Sequence, residues 1–292
     1  VLGSIEGDWY EAAMIYQAWV KEQAPWWPPA PSKRPSRIQD IAVWVQHETG
    51  GDLATLVQEV LEFAEFMRVP IGFHWYVWHK IPFDNDYPHF FPAKDGFVKA
   101  VGDLEDAGVR VMPYINGRLW DADLDDFKSE GIKAVTKNEK GEPYIEDYGN
   151  GVRNAVMNPV TQIWQNKIKD IVLRLQHNSG TSGVYLDQIS AASPKLCMDI
   201  AHGHPLGGGS WWLDQGYYKL LSAIRDEMPK GAFLTSEAMA EPYNHLLDGL
   251  LSWNSQFQNQ KPIYSAIYGG RISIFGRNNP VGPDKHKALI MR

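Results

Sequence analysis

Two apolar segments of this 292-residue chain each end on a carboxylate: one runs from Gly183 to Asp187, the other from Ala232 to Glu237. A charge at the end of an apolar strand costs several kcal/mol to bury, so such a position favours a function. Two carboxylates facing across an aromatic-lined cleft are the minimal set for cleaving a glycosidic bond, since one attacks or stabilises the anomeric carbon and the other protonates the leaving oxygen. The residues alone leave a structural role open, as a helix cap, a salt-bridge partner or a loop carboxylate.

Aromatic and polar side chains lie in and around the predicted strands in a mixture that suits a sugar. Flat indole faces match the C–H faces of pyranose rings, and Asn, Arg and His side chains can satisfy hydroxyl groups. For any single tryptophan, a place in the core is the rival interpretation. The predicted substrate-binding residues are Trp44, His74, Trp75, Tyr76, Trp78, Asn116, Arg118, Tyr185, Gln188, His204, Trp211, Trp212 and Trp253.

A loop between the two carboxylate segments carries His202, His204 and a run of glycines. Neutral imidazoles are common zinc ligands, so a metal-dependent hydrolase that uses both histidines with Asp187 is one alternative. In metal-dependent hydrolase barrels such a pair closes the first strand, whereas this pair follows the fourth. We therefore predict no metal and no cofactor, and a flexible loop that places His204 and Trp211 beside the substrate. Cys197 lacks an obvious His or Asn context and is predicted to be a buried, inert thiol.

Strands and helices alternate along most of the chain, which indicates parallel strands joined by helical crossovers. No Gly-x-Gly-x-x-Gly follows a strand, so a dinucleotide-binding sheet loses its main support. The long polar and aromatic segments, including a polar excursion at 121–151, follow strand C-termini, where a barrel carries its active site. We predict an α/β fold, a (β/α)8 TIM-type barrel that is incomplete at its last strand. The predicted strands are 41–45, 70–77, 109–115, 183–187 and 232–237, with weaker ones at 247–253, 262–267 and 271–275, and the predicted helices are 8–23, 53–67, 96–107, 161–176 and 212–227.

Composition excludes several other classes of protein. The chain has 28 basic and 35 acidic residues and a net charge of −7, which disfavours a nucleic acid partner. It has no apolar run of about 18 residues, so we predict no membrane span. Residues 1–36 are predicted to form an N-terminal helix and a proline-rich arm that packs on the barrel domain, residues 37–292. The chain begins at Val1 without a methionine, so a fragment of a longer protein is expected and the compartment stays undetermined.

The carboxylate segments belong to a set of motifs at 7–13, 157–159, 183–189, 204–209, 234–237 and 241–243. Together these motifs resemble a bacterial family of uncharacterised glycoside-hydrolase-like proteins. That family is similar to the endo-α-N-acetylgalactosaminidases and, more distantly, to the α-amylase-like retaining TIM-barrel glycosidases. The resemblance spans most of the chain, and residues 183–189 with the glycine-rich loop are its most specific part.

The resemblance implies a retaining mechanism, with an aspartate nucleophile on the fourth strand and a glutamate acid/base on the fifth. On this sequence Asp187 would be the nucleophile and Glu237 the proton donor, and β-sandwich domains would flank the barrel on one or both sides. We therefore predict a glycosidase that cleaves an α-linked glycoside or oligosaccharide with retention of configuration. The alternatives are a non-catalytic carbohydrate-binding barrel and the metal-dependent hydrolase with the His-x-His loop.

Overall fold

The computed structural model describes residues 3–47, 51–252 and 260–276. Within these ranges seven parallel strands pair edge to edge and curl into a nearly closed barrel, which confirms the predicted α/β barrel. The three strands between the third and fourth barrel strands form a separate sheet. In sheet order the barrel strands are β1 (Val43–His47), β2 (Ile71–Trp75), β3 (Val109–Asn116), β7 (Gly183–Asp187), β8 (Phe233–Glu237), β9 (Gly249–Leu251) and β10 (Ser273–Phe275).

The helices surround the barrel and begin close to their predicted positions. In the first, Asp8 is the N-cap, and its side chain and that of Glu11 form a reciprocal capping box. No helix in the described ranges is both long and apolar enough to span a bilayer. Two helical segments contain π-helical turns, at Arg174–Asn178 and Trp212–Tyr217. The helices are α1 (Trp9–Gln23), α2 (Ser36–Gln39), α3 (Leu53–Met67), α4 (Phe97–Asp106), α5 (Asp125–Ser129), α6 (Gln162–Leu173), α7 (Tyr218–Glu227) and α8 (Ile263–Tyr268).

One predicted strand is wrong. Residues 262–267 form most of α8 and not a strand, because Pro262 suits the residue just before a helix and the segment packs against α1. The side chain of Gln17 in α1 donates hydrogen bonds to the carbonyls of Ala266 and Ile267, at 3.1 and 2.8 Å. These contacts satisfy carbonyls near the end of α8, and they are invisible in the local sequence.

Side chains of the barrel strands alternate between the interior and the surrounding helices. Trp44 of β1 points into the interior and stacks on Phe275 of β10 with ring centroids 4.4 Å apart, so the first and last described strands meet. A Cβ at Gly72 would lie 2.6 Å from the Trp44 ring, so only glycine leaves room for that ring. Trp44 also meets Phe233, the first residue of β8, at the end of the barrel opposite Glu237. The predicted contact of Trp44 with substrate is therefore corrected to interior packing.

The polar segment between β3 and β7, residues 117–160, is here called the insertion. It contains an antiparallel sheet of β4 (Leu119–Asp121), β5 (Ile145–Glu146) and β6 (Asn154–Val156), with β6 in the middle. The sequence predicts only a polar excursion here, because strands of two or three residues show no readable alternation. The insertion follows the carboxyl end of β3, so it lies where a barrel carries its active site.

Candidate active site

Asp187 and Glu237 lie side by side at the carboxyl ends of β7 and β8. These two strands are parallel neighbours, and Tyr185 is paired with Thr235 in their register. Each carboxylate is two residues further along its strand, so both side chains point into the barrel at the same level. The two carboxyl groups are in hydrogen-bonding contact with each other. Glu237 is buried and Asp187 keeps part of its surface exposed, so the pair is walled by protein and still open on one side.

The chain turns sharply immediately after each carboxylate. Gln188 has φ 65°, and Ala238 and Met239 have φ 66° and 47°. These are left-handed conformations that residues with a Cβ adopt at a cost, and such positions concentrate at functional sites. Both turns directly follow the strands that carry the carboxylates, at the end where a barrel places its active site.

Two tyrosine hydroxyls hold the pair. Tyr114 in β3 donates a hydrogen bond to Oδ2 of Asp187 at 2.8 Å, and Tyr185 donates one to Oε2 of Glu237 at 3.1 Å. Tyr185 is among the predicted site residues, and Tyr114 is not. Alternation along β3 could have found it, because Tyr114 shares the inward face with Asn116, which lies beside Asp187 in the β3–β7 register.

Electrostatics make the two carboxyls one titrating unit. Burial, followed by the negative charge of Glu237, raises the pKa of Asp187 well above its usual range, and the hydroxyl of Tyr114 acts in the opposite direction. Two carboxylates in contact cannot both ionise cheaply, so we expect the pair to hold one proton between them at neutral pH. A site of this kind has both an anionic nucleophile and a proton donor available.

A chain of hydrogen-bonding groups connects Asp187, through Tyr114, to the loop after β2. The hydroxyl of Tyr87 lies 3.3 Å from that of Tyr114 and 3.2 Å from Oδ1 of Asp84. Burial raises the pKa of Asp84, and its negative charge adds to the rise at Asp187. The local sequence does not indicate this arrangement, because Tyr87 reaches the site from an irregular loop.

We expect Tyr114→Phe to lower kcat/KM by about 10- to 100-fold, the value of one hydrogen bond to a charged group. The hydroxyl stabilises the ionised form of Asp187, so its loss raises the pKa of that carboxyl further. The acid limb of the pH–rate profile should therefore move to higher pH. The control is Tyr10→Phe, at an exposed tyrosine of α1. An unchanged acid limb in Tyr114→Phe would show that this hydroxyl does not set the ionisation of the pair.

Aromatic rings form a floor beneath the carboxylates. The Tyr76 ring stacks on that of Tyr114 with centroids 4.8 Å apart, and the His74 ring lies 4.4 Å from that of Tyr185. His74, Tyr76 and Tyr185 are all buried, at 2%, 3% and 0% exposed. The structure thus brings these three predicted residues to the site, where they support the carboxylate pair from below.

A polar wall stands beside Asp187. The guanidinium of buried Arg118 donates to both carboxylate oxygens of Glu146 at 2.6 and 2.9 Å, and to Oε1 of Gln188 at 3.2 Å. Gln188 in turn donates to the hydroxyl of Tyr148 at 2.8 Å. Arg118 is therefore committed to the insertion and to the residue after Asp187. Its predicted contact with substrate is corrected to the positioning of this wall, which the sequence analysis did not connect to Glu146 or Tyr148.

Two other predicted substrate-binding residues, Trp75 and Trp78, are packing residues, which corrects their predicted role, whereas the role of Asn116, beside Asp187 in the strand register, stays a prediction. Trp75 and Trp78 are 1% and 0% exposed and pack against Phe97 of α4. Asn116 is fully buried, and its Oδ1 accepts hydrogen bonds from the backbone of the turn at 118–119. Trp253 lies outside the described residues.

The loop after β7 is organised and not simply flexible. His204 is buried and stacks on Trp211 with centroids 3.8 Å apart, and Trp211 packs edge-on against buried Trp212. The predicted contacts of these three residues with substrate are therefore corrected to packing within the loop. His202 and His204 converge on Cys197, whereas Asp187 contacts Tyr114 and Glu237. The alternative of a metal held by both histidines and Asp187 has no support in this arrangement.

Comparison with known proteins places these features in a family. The sequence profile described as domain of unknown function DUF6259 matches residues 1–279. The chain is 32% identical over 286 residues to a Bacteroides thetaiotaomicron protein named "Putative glycoside hydrolase", covering 94% of this chain and 42% of that protein. It is 29% identical over 319 residues to "Putative glycoside hydrolase 22789" of Monosiga brevicollis, covering 94% of this chain and 26% of that protein.

Solved structures share the fold. Ligand-free α-N-acetylgalactosaminidase NagBb from Bifidobacterium bifidum is 12% identical with a TM-score of 0.76, covering 92% of this chain and 50% of that one. TtGalA, an α-galactosidase from Thermus thermophilus, is 16% identical with a TM-score of 0.65, covering 97% of this chain and 62% of that one. At sequence identities of 12% and 16%, the structural similarity shows that this chain has the same barrel fold. This chain spans less than half of the length of the two relatives named as glycoside hydrolases.

Proposed function

The chain belongs to the DUF6259 family, and we propose that it is the catalytic barrel of a retaining glycoside hydrolase with Asp187 as nucleophile and Glu237 as acid/base. The observation that carries the proposal is the contact between two inward-facing carboxyls at the ends of adjacent barrel strands. The names of the two relatives support the same class of reaction. The predicted resemblance to glycoside-hydrolase-like proteins is confirmed, and the residues and the stereochemistry are the proposal.

In the first step the Asp187 carboxylate attacks the anomeric carbon, and the bond from that carbon to the leaving oxygen breaks. Glu237 gives its proton to the departing oxygen, and a glycosyl ester of Asp187 forms. In the second step Glu237, now ionised, takes a proton from water as the water attacks the anomeric carbon. The ester bond breaks and Asp187 leaves as a carboxylate, so both groups return to their starting states.

The closeness of the carboxyls supports retention over inversion. Inverting enzymes keep their two carboxyls about 6.5–9.5 Å apart so that a water fits between them, whereas retaining enzymes hold them about 5–5.5 Å apart. A pair in hydrogen-bonding contact leaves no room for that water. A sugar that enters must part the two groups slightly.

The shared proton supports the assignment of roles. In the free site burial and the charge of Glu237 raise the pKa of Asp187. In the reacting complex positive charge develops at the anomeric carbon beside Asp187, which favours the ionised form of that carboxyl. The proton then belongs to Glu237, next to the leaving oxygen, where acid catalysis needs it.

The α-linkage is supported by the solved neighbours, whose names specify α-N-acetylgalactosaminidase and α-galactosidase activities. We also propose that residues 1–36 are an arm on a barrel domain of residues 37–292. The packing of α1 against α8 and the 2.6 Å hydrogen bond from Arg34 to the carbonyl of Arg271 support this division. Flanking β-sandwich domains remain a prediction.

The experiment is a panel of aryl α- and β-glycosides of common sugars offered to the purified full-length protein. We expect hydrolysis of an α-glycoside, with the α-anomer appearing first in proton NMR before mutarotation. First appearance of the β-anomer would contradict retention. Calorimetric binding of a sugar without hydrolysis of any glycoside would favour the carbohydrate-binding barrel instead.

A further inference from the structure

Three side chains of the loop that follows β7 converge on one point, and none of them contacts the carboxylate pair through a hydrogen bond in the described structure. They are Cys197, His202 and His204, and their candidate ligand atoms all lie within 4.8 Å of one another. The thiol sulfur is 3.3 Å from Nδ1 of His202. Cys197 is 0% exposed, His204 6%, and the side chain of His202 3%. Such a cluster of nearly buried sulfur and nitrogen donors has no role in the proposed hydrolysis.

The outer nitrogen of each histidine is held by a backbone carbonyl. Nε2 of His202 lies 3.0 Å from the carbonyl oxygen of Lys133, and Nδ1 of His204 lies 3.0 Å from that of Pro205. A carbonyl accepts a hydrogen bond, so each outer nitrogen carries the ring proton and each inner nitrogen keeps its lone pair. Histidines that bind metals are oriented in this way, by a carbonyl on the nitrogen that does not touch the metal.

The sulfur of Cys197 lies among hydrogen-bonding groups of the loop and of the insertion. The backbone N–H of Lys137 points at the sulfur from 3.5 Å. Nδ1 of His202 also lies within hydrogen-bonding distance of this sulfur, at 3.3 Å. The expected burial of Cys197 is confirmed, whereas the expectation that it lacks a histidine nearby is wrong, because His202 reaches the thiol from five residues along the loop.

We propose that Cys197, His202 and His204 form a zinc site with one thiolate and two imidazole ligands. Tetrahedral zinc with Zn–S of about 2.3 Å and Zn–N of about 2.0 Å places neighbouring ligand atoms about 3.3–3.6 Å apart, close to the observed sulfur–nitrogen distance. The amide nitrogen of Asn158 donates hydrogen bonds to both inner nitrogens at 2.9 Å, and zinc would take the place of these two bonds, with a water as the fourth ligand. Zinc fits thiolate and imidazole donors better than calcium or magnesium does.

The site has a structural role in this fold. Its ligands come from the loop after β7, whereas the groups that orient them, Lys133, Lys137 and Asn158, belong to the insertion. Zinc would thus fasten the loop that begins after Asp187 to the insertion that supplies the polar wall. A structural zinc site contributes directly to folding stability, so its effect is measurable without any substrate.

The test is zinc binding by the purified full-length protein, measured by elemental analysis and by competition with a chromophoric chelator. We expect about one zinc ion per chain in the parent protein and one fewer in Cys197→Ser and in His204→Ala. His177→Ala, which removes a histidine that contacts only the Glu227 carbonyl in the described structure, is the matched control and should keep the zinc. Equal zinc content in the parent and in Cys197→Ser would overturn the proposal.

A second experiment uses cobalt(II) in place of zinc in the parent protein, so it does not depend on whether the variants fold. Cobalt(II) added to the metal-free parent should give a thiolate-to-cobalt charge-transfer band in the near ultraviolet, and zinc should raise the melting temperature of the same sample. Absence of both effects, with the thiol still alkylated readily near neutral pH, would show a thiolate–imidazolium pair in place of a metal site. Because neither readout involves glycoside turnover, this proposal can fail while the proposed hydrolase function stands.

Discussion

Replacing Asp187 with alanine should abolish measurable glycoside hydrolysis, with a loss of about 10⁴-fold or more in kcat, as for removal of a catalytic nucleophile. The side chain lies against Tyr114 and Glu237 at the mouth of the barrel, so its loss removes the proposed nucleophile and leaves the two contacting side chains in place. The measurement is the initial rate of hydrolysis of the best α-glycoside from the panel, with folding checked by circular dichroism.

Azide distinguishes a nucleophile from a group that only stabilises the fold. Deletion of Asp187 leaves space for a small anion, which can attack the anomeric carbon directly. We expect azide to restore part of the rate and to yield the glycosyl azide of inverted, β configuration, because a single displacement inverts the centre. The control is Asp95→Ala, at a carboxylate whose side chain is 94% exposed and pairs with Lys80. A near-normal rate for Asp187→Ala without azide would refute the assignment.

Glu237→Gln should show a loss that depends on the leaving group. A glutamine cannot donate the proton, so substrates with a poor leaving group should lose about 10²- to 10⁴-fold in kcat/KM, the usual contribution of general acid catalysis. Glutamine can still accept the hydrogen bond from Tyr185, so the floor of the site should persist. Dinitrophenyl glycosides need little protonation, and their kcat/KM should stay close to that of the parent.

The leaving-group series is the measurement that checks this prediction. A plot of log kcat/KM against the pKa of the leaving phenol should be much steeper for Glu237→Gln than for the parent. Glu227→Gln, at a half-exposed glutamate of α7 that pairs with Lys169, is the matched control and should follow the parent. An equal loss for good and poor leaving groups would mean that Glu237 acts in some way other than proton donation.

Much of the barrel and the central pair could be predicted from periodicity. The apolar segments that end at Asp187 and Glu237 predict two parallel strands with their carboxyl ends at the same edge of the sheet. In the structure these two strands, β7 and β8, are neighbours. The same alternation distinguishes His74, which faces the interior, from Trp75, which faces α4. The residue type of Trp75 favours a substrate contact, whereas its position on the strand places it against α4. The aromatic residues near the site therefore mainly pack beneath the carboxylate pair or in the hydrophobic core.

The other features of the site could not be predicted, because they depend on contacts between distant parts of the chain. The pairing of Arg118 with Glu146 joins the turn after β3 to β5, a two-residue strand that the local sequence does not indicate. Tyr87 reaches Tyr114 from an irregular loop. Cys197 approaches His204 only because the loop folds back on the insertion. In each case the side-chain types were visible, and the geometry that gives them a role was set by tertiary packing.

The most direct test of the account is to identify the residue that becomes covalently glycosylated. A 5-fluoro α-glycosyl fluoride of the preferred sugar should accumulate the glycosyl-enzyme, because fluorine slows both steps and the good leaving group speeds the first. Peptide mass spectrometry should then place the added sugar on Asp187, and Asp187→Ala should carry none. A label on any other residue, or turnover of the reagent with inversion and no covalent label, would contradict the proposed roles of Asp187 and Glu237.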